Sequence, residues 1–398
     1  MRKSEAIRNI YVYYWFKLFC EPLMWGTILT LFLQHTAHVS LSLIFIMESV
    51  CVIGLMFLQV PGGALADMIG RRRTLQLGMG LFMIKMVVFS LAINPLMAWI
   101  ANAIWVLGYA LIDGADSALL YDNLKFLGRE HEFHRIEGNA NAYRWILTGF
   151  CSVGSGYLAQ YNLRWPLFID VLVMVVGFCA CYFFVEPPIG QKRKGISGYL
   201  DLMKVSVLFV ANHRQVKWII AFTVLIGVVS KMWFFTYNPF FELVGLPIKH
   251  FGWIFLPLNL TAAFSSHYNG WISRKLGDFG SVVMMITLVA VPILLMGIFP
   301  IKALVWLVIL QNLVRGYMGP FLGQFLHHYL DSENRATVTS VKSAVRGLAE
   351  FVMLGAYGLL LRAYDLSVCL EILGIFMCLS GLLLIISYLR IFGREACR

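Results

Sequence analysis

The stretch Gly62-Gly63-Ala64-Leu65-Ala66-Asp67-Met68-Ile69-Gly70-Arg71-Arg72-Arg73-Thr74 decides the reading of this chain. It is a short loop between two long apolar runs. Its glycines allow close backbone approach, Asp67 supplies one acid, and Arg71, Arg72 and Arg73 form a basic cluster. A weaker copy, Gly270-Trp271-Ile272-Ser273-Arg274-Lys275-Leu276-Gly277, stands in the second half. Position 63 corresponds to 270 and 70 to 277, so both copies keep the pattern Gly-x-x-x-x-x-x-Gly.

The runs beside the loop are typical of the whole chain. Of its 398 residues, 60% are hydrophobic, 15% aromatic and only 13% charged, with a mean hydropathy of +0.76. Soluble domains carry roughly 25% charged residues, so this composition cannot cover a water-facing surface. A hydrocarbon core about 30 Å thick takes about 20 apolar residues per helix. Twelve segments meet that length: 10–33, 40–62, 75–93, 96–121, 141–160, 166–185, 216–239, 251–270, 279–299, 302–327, 340–361 and 366–389. They are continuously apolar where barrel strands would alternate, which predicts helices. The basic residues 1–9 flank the first span and are not followed by a cleavage site.

The net charge of +11 is a topology signal and not a footprint for nucleic acid. With the N-terminus placed in the cytoplasm, the inner loops collect Arg71–Arg73, Lys192–Lys194, Arg274 and Lys275. The outer loops hold only Arg164, Lys249, Lys302 and Arg362. This bias predicts both termini inside, in a bacterial cytoplasmic (inner) membrane. The long polar break splits the chain into 1–186, an interdomain loop 187–215 and 216–398. Glu186-Pro187-Pro188 ends the sixth segment, and Tyr199–Val210 fits an amphipathic surface helix. The cysteines are scattered without metal spacing, so no metal and no cofactor are expected.

A charged loop repeated at corresponding places in two halves points to a duplicated transporter. The loop 62–74 resembles the signature between the second and third helices of the major facilitator superfamily. Gly63, Leu65, Ala66, Asp67, Gly70, Arg71 and Arg72 match that signature, and Met68 replaces its usual base. The resemblance implies an all-α membrane protein of twelve transmembrane helices in two six-helix bundles that rock about a central cavity. It also implies a conformational latch. Asp67 would meet the start of the eleventh helix, Arg71 would pair with Asp122, and Gly270, Arg274 and Gly277 would repeat the arrangement. The first, fourth, seventh and tenth helices would line the cavity.

Ionisable groups inside spans cost at least about 2.5–3.5 kcal/mol each and are functional candidates by default. Lys17 and Glu21 are spaced to share a helix face, as are Asp113 and Asp116. Two carboxylates that close repel each other when both are charged, and a carboxylate that gains and loses a proton is what proton coupling requires. Asp113, Asp116 and Glu21 are therefore candidate coupling residues. The competing reading is static pairing, for example of Asp116 with Arg144. Arg346 and Glu350 fit a second structural pair along the eleventh helix. Tyr14, Lys17, Lys231, Trp233, Asn238, Arg315 and Gln324 are candidate cavity residues, suited to a polar or amphiphilic solute.

Some expected features are missing. Proton-driven drug antiporters of the superfamily carry an arginine where this chain has Ala110, and a proline absent from Gly149–Gly156. No HExxH, GxSxG, phosphate loop or zinc cluster occurs, which disfavours an enzyme. A non-transporting receptor would not need a hinge loop in two copies. The expectation is a monomeric secondary transporter working by alternating access, coupled to protons, with export preferred. Uptake of a nutrient, peptide or metal chelate is the alternative.

Overall fold

The computed structural model describes residues 1–187, 210, 212–329 and 332–393. Among the described residues it holds fourteen α-helices and no strand. The first eight are α1 (Lys3–Phe19), α2 (Leu29–His35), α3 (Leu41–Ile69), α4 (Arg71–Ser90), α5 (Pro95–Ile112), α6 (Ala115–Leu127), α7 (Phe133–Tyr161) and α8 (Trp165–Ala180). The remainder are α9 (Arg214–Leu243), α10 (Phe251–His267), α11 (Asn269–Ile298), α12 (Val308–Tyr329), α13 (Ser332–Ala363) and α14 (Leu366–Phe392). The chain is an all-α membrane protein, and the twelve expected spans fall on these helices in order. Two spans consist of two helices each, α1 with α2 and α5 with α6. Seven helical stretches among the described residues are long and apolar enough to cross a membrane, by length and composition. The expected amphipathic helix Tyr199–Val210 lies outside the described residues, Val210 excepted.

Contacts divide the chain into two compact units. Unit 1 is Met1–Ser40, Val50–Ile196 and Ile248–Leu256; unit 2 is Leu41–Ser49, Ser197–Pro247 and Pro257–Arg398. Each unit includes one stretch remote in sequence from the rest of it. In unit 2, Leu41–Ser49 lies on α13. The Ser42 hydroxyl donates to Gly358 O at 2.6 Å, that of Ser49 to Phe351 O at 2.7 Å, and Phe45 meets Tyr357 edge-on. In unit 1, Ile248–Leu256 lies on α7, where Trp253 Nε1 donates to Tyr157 at 3.3 Å. A Cβ on Gly252 would stand 2.1 Å from Ser152 O.

Small residues set the helix spacing, as expected where lipid supplies no hydrophobic drive between helices. In unit 1, α4 and α5 meet at Gly78 and Gly108; a Cβ on Gly108 would stand 2.7 Å from Phe82. In unit 2, α11 and α14 meet at Gly374 and Gly381, where an added Cβ would lie 2.7 Å from Leu294 and 2.4 Å from Ile286. A buried amide clamp closes unit 1. Asn9 binds Asn123 at 3.1 Å and both backbone groups of Val185, and Asn123 donates to Ala6 O.

Candidate functional site

The expected loop is helical up to Ile69 and its copy lies within α11, so the break in each is confined to one glycine. Gly70 has φ 93° and Gly277 has φ 66°, a region that only glycine enters readily. Each ends one helical stretch and starts the next. Behind Gly70, the first backbone N–H groups of α4 need acceptors. Glu186 supplies them: its carboxylate accepts from Arg71 N at 2.7 Å and from Arg72 N at 2.8 Å. An anion at a helix N-terminus is also favoured by the dipole. Arg71 then turns its guanidinium to Asp122 at 2.8 Å, the pairing expected from the family signature. Arg72 donates to Tyr182 O at 2.9 Å. Asp67 is half-buried on the last turn of α3. In the second copy, Arg274 folds back on Gly270 O at 3.0 Å. Gly63 and Gly270 have open space where a Cβ would go.

The charged side chains of unit 1 meet where two spans break. The first span loses its helix at Cys20 and regains it at Leu29, with one 3-10 turn at Trp25–Thr27. The fourth span breaks at Asp113–Gly114, and Gly114 takes φ 83°. Lys17, near the end of α1, pairs with Asp116, on the first turn of α6, at 2.5 Å. Glu21 lies in the break and pairs with Arg144 of α7, also at 2.5 Å. The expected Asp116–Arg144 pair is therefore corrected: each residue has a different partner. The breaks also separate two pairs of residues expected to share a helix face. Because α1 ends at Phe19, Lys17 and Glu21 do not share a helical face. Likewise Asp113 and Asp116 stand on opposite sides of Gly114.

Asp113 accepts from Gln59 Nε2 at 2.9 Å and forms no ion pair among the described residues. The Ser117 hydroxyl donates to Glu137 at 2.6 Å, adding an acid from α7. Tyr14 lies beside Tyr143, ring centroids 5.9 Å apart. Tyr13 is fully buried beside Lys17, and among the described residues its hydroxyl has no hydrogen-bond partner.

The first break is held by a carboxylate. Asp170 of α8 is 0% exposed and accepts from Leu23 N at 2.8 Å, Met24 N at 3.0 Å and Trp25 N at 2.8 Å. These are the N–H groups a continuous helix would have satisfied itself. Next to it, Lys85 of α4 lays its ammonium over the Trp25 ring, 4.0 Å from the centroid.

Unit 2 carries a separate network. Lys231 of α9 lies 3.2 Å from Glu350 and 3.7 Å from Glu48, and Arg346 binds Glu350 at 2.6 Å. The last contact is the expected i,i+4 pair, here extended to two more residues. Trp233 and Asn238 lie buried in unit 2; Trp233 packs edge-on to Tyr237. Arg315 is exposed on α12. The side chain of Gln324 lies outside the described residues.

The profile of the Major Facilitator Superfamily matches residues 14–354. The chain belongs to this superfamily. An uncharacterized MFS-type transporter of Bacillus subtilis (strain 168), YxaM, is 21% identical over 350 residues, covering 83% of this chain and 84% of the relative. Among solved structures, the nucleoside transporter NupG superposes with a TM-score of 0.76 at 14% identity, over 98% of this chain and 99% of the other. A POT family transporter in complex with a thioalcohol-conjugated peptide gives 0.70 at 13% identity, over 97% and 96%. At such identities these structures establish the shared fold. The superfamily member described here is thus a multi-pass membrane transporter with a small-molecule substrate.

Several contacts escaped the sequence reading: Glu186 on α4, Gln59 on Asp113, Asp170 on the first break and Glu48 on Lys231. Glu186 had a usable signal, because topology puts it on the same side as Arg71. The others are long-range contacts of residues with no local pattern.

Proposed function

We propose that this protein is a secondary active transporter of a polar or amphiphilic solute, working by alternating access and coupled to protons through Asp113. One observation carries the reading. At the two breaks of unit 1, Glu21 and Asp116 each hold a base, whereas Asp113 takes its hydrogen bond from the neutral amide of Gln59. Protonation of Asp113 breaks no ion pair, and Gln59 can serve either state, because an amide both donates and accepts. Asp116 and Glu21 are positioned to meet the charged groups of a solute, each exchanging its present base for one. Arg71, Asp122, Asp67 and the repeated glycines form the conformational latch of this reading.

Metabolite profiling of cells and medium, comparing a strain that overproduces the chain with an empty-vector strain, names the cargo and reads direction. Export is taken first, and depletion of a solute from the medium would assign uptake. Proteoliposomes with an imposed pH gradient then test coupling. Asp113→Asn is expected to abolish gradient-driven accumulation and to spare exchange of the solute across the membrane. Unchanged dependence on the gradient would remove Asp113 from the coupling role.

A further inference from the structure

Among the described residues, the charges around the two breaks of unit 1 do not balance. Lys17 holds Asp116 at 2.5 Å, Arg144 holds Glu21 at 2.5 Å, and Lys85 stands beside the Asp170 carboxylate. Each of these three bases is matched by one acid. Two acids are left over. Asp113 is the coupling residue of the transport reading. Glu137 of α7 is the other: it forms no ion pair among the described residues and takes its hydrogen bond from the neutral hydroxyl of Ser117.

Ser117 decides where the spare charge lies. On the first turn of α6, its N–H donates to Asp116 at 2.6 Å and its hydroxyl donates to Glu137 at 2.6 Å. One residue thereby brings two carboxylates together, and only Asp116 has a base. Neighbouring carboxylates repel when both are charged, and a second cation relieves that repulsion. A separate group points to the same place. Tyr13 is 0% exposed, its ring lies 5.7 Å from the Lys17 ammonium, and the charges of Asp116 and Glu137 act on its hydroxyl. Among the described residues that hydroxyl has no hydrogen-bond partner, which costs about 1–3 kcal/mol for a buried group. Glu137 is only half-buried, so its carboxylate is open to a ligand.

We infer that Asp116, Glu137 and Tyr13 form a binding site for the protonated amine of a cationic solute. An ammonium carries three N–H donors, one for each of these groups. It supplies the missing positive charge, and it gives the Tyr13 hydroxyl a partner, since a hydroxyl accepts as well as donates. A carboxylate or phosphate in its place would add a further negative charge beside two carboxylates. That this ligand is the cargo rests on the transport reading; its binding is measured separately.

The test is calorimetric titration of the purified full chain in detergent at neutral pH. The probes are butylammonium, 1-butanol as the uncharged analogue and butyrate as the anionic one. Butylammonium is expected to bind in the millimolar range or tighter, 1-butanol about tenfold more weakly, and butyrate not at all. Glu137→Gln keeps an acceptor oxygen for Ser117 and removes the charge. It is expected to weaken butylammonium about tenfold or more, as for loss of a charge-assisted hydrogen bond, with 1-butanol unaffected. Tyr13→Phe is expected to weaken butylammonium severalfold. Absence of butylammonium binding, or equal affinity in Glu137→Gln, would overturn the inference. Binding of 1-butanol or butyrate as tight as that of butylammonium would do so without any variant, whether or not Glu137→Gln folds. The transport reading fails by a different result. If butylammonium binds through Glu137 but the strain comparison finds no cargo, that reading falls and the site stands. A neutral or anionic cargo whose flux is unchanged in Glu137→Gln would overturn the site and leave the transport reading in place.

Discussion

Asp170 offers the most direct test of how the first span is built. Its carboxylate serves three backbone N–H groups at 2.8–3.0 Å, all deep in unit 1. Hydrogen bonds to a charged group contribute about 1.5–3 kcal/mol each, and a buried donor left without a partner costs about 1–3 kcal/mol. Asp170→Asn keeps one acceptor oxygen but turns an NH2 group toward one N–H, so about one bond is lost and the others weaken. The expected cost is about 2–4 kcal/mol. Asp170→Ala removes every acceptor and is expected to cost about twice as much. For a unit of this size, about 3 °C of melting temperature corresponds to 1 kcal/mol. Asp170→Asn should therefore melt roughly 6–12 °C lower. The assay is thermal unfolding of detergent-purified protein followed by size-exclusion fluorescence, with membrane insertion checked separately. If both variants melted with the wild type, Asp170 would not hold the break, and the backbone would be satisfied in another way.

Three further outcomes follow from distances in unit 1. Because Arg71 and Asp122 pair at 2.8 Å, Arg71→Gln or Asp122→Asn should cut transport about tenfold or more with insertion intact. The exchange Arg71→Asp with Asp122→Arg should restore part of it in a flux assay. Glu186→Gln keeps one of the two acceptor oxygens and loses the charge at the start of α4; it should lower stability by about 1–3 kcal/mol, read as a drop in melting temperature. The glycine pair at the signature loop should behave oppositely. A Cβ on Gly62 would stand 2.1 Å from Ala110 O, whereas Gly63 has open space, so Gly62→Val should reduce the yield of folded protein severalfold and Gly63→Ala should not.

The spans were legible because the membrane imposes a simple rule. A run of apolar residues long enough to cross must be a helix, so segments such as 216–239 and 366–389 fall within α9 and α14. The signature loop was legible because its glycines and charges are adjacent in sequence. The Arg346–Glu350 pair was legible because it is local to one helix. The breaks in the first and fourth spans were not. Both lie inside apolar segments, and Gly114 resembles any small residue at a helix contact until its φ is known. The unread breaks undid the expected shared faces of Lys17 with Glu21 and of Asp113 with Asp116, since helical spacing was carried across Phe19 and Gly114. Asp170 is a charge inside a span, but its partners are backbone groups far away in sequence.

The two breaks also explain how Lys17 and Asp116 tolerate their position. A helix end carries partial charge, negative at the C-terminus and positive at the N-terminus. Lys17 stands in the last turn of α1 and Asp116 in the first turn of α6. Each charge is therefore at the end whose dipole favours it. Had both spans run unbroken, the same residues would lie mid-helix with only each other for compensation. Opening that pair would then strand two charges in hydrocarbon. With the breaks in place, part of the compensation comes from the backbone and stays when the pair opens. On the proposed reading, an ion pair supported in this way exchanges its partner for a solute group at modest cost, a property that a purely structural bridge does not need. The same reasoning separates this pair from Arg346–Glu350, which sits within the long helix α13 and gains nothing from a helix end.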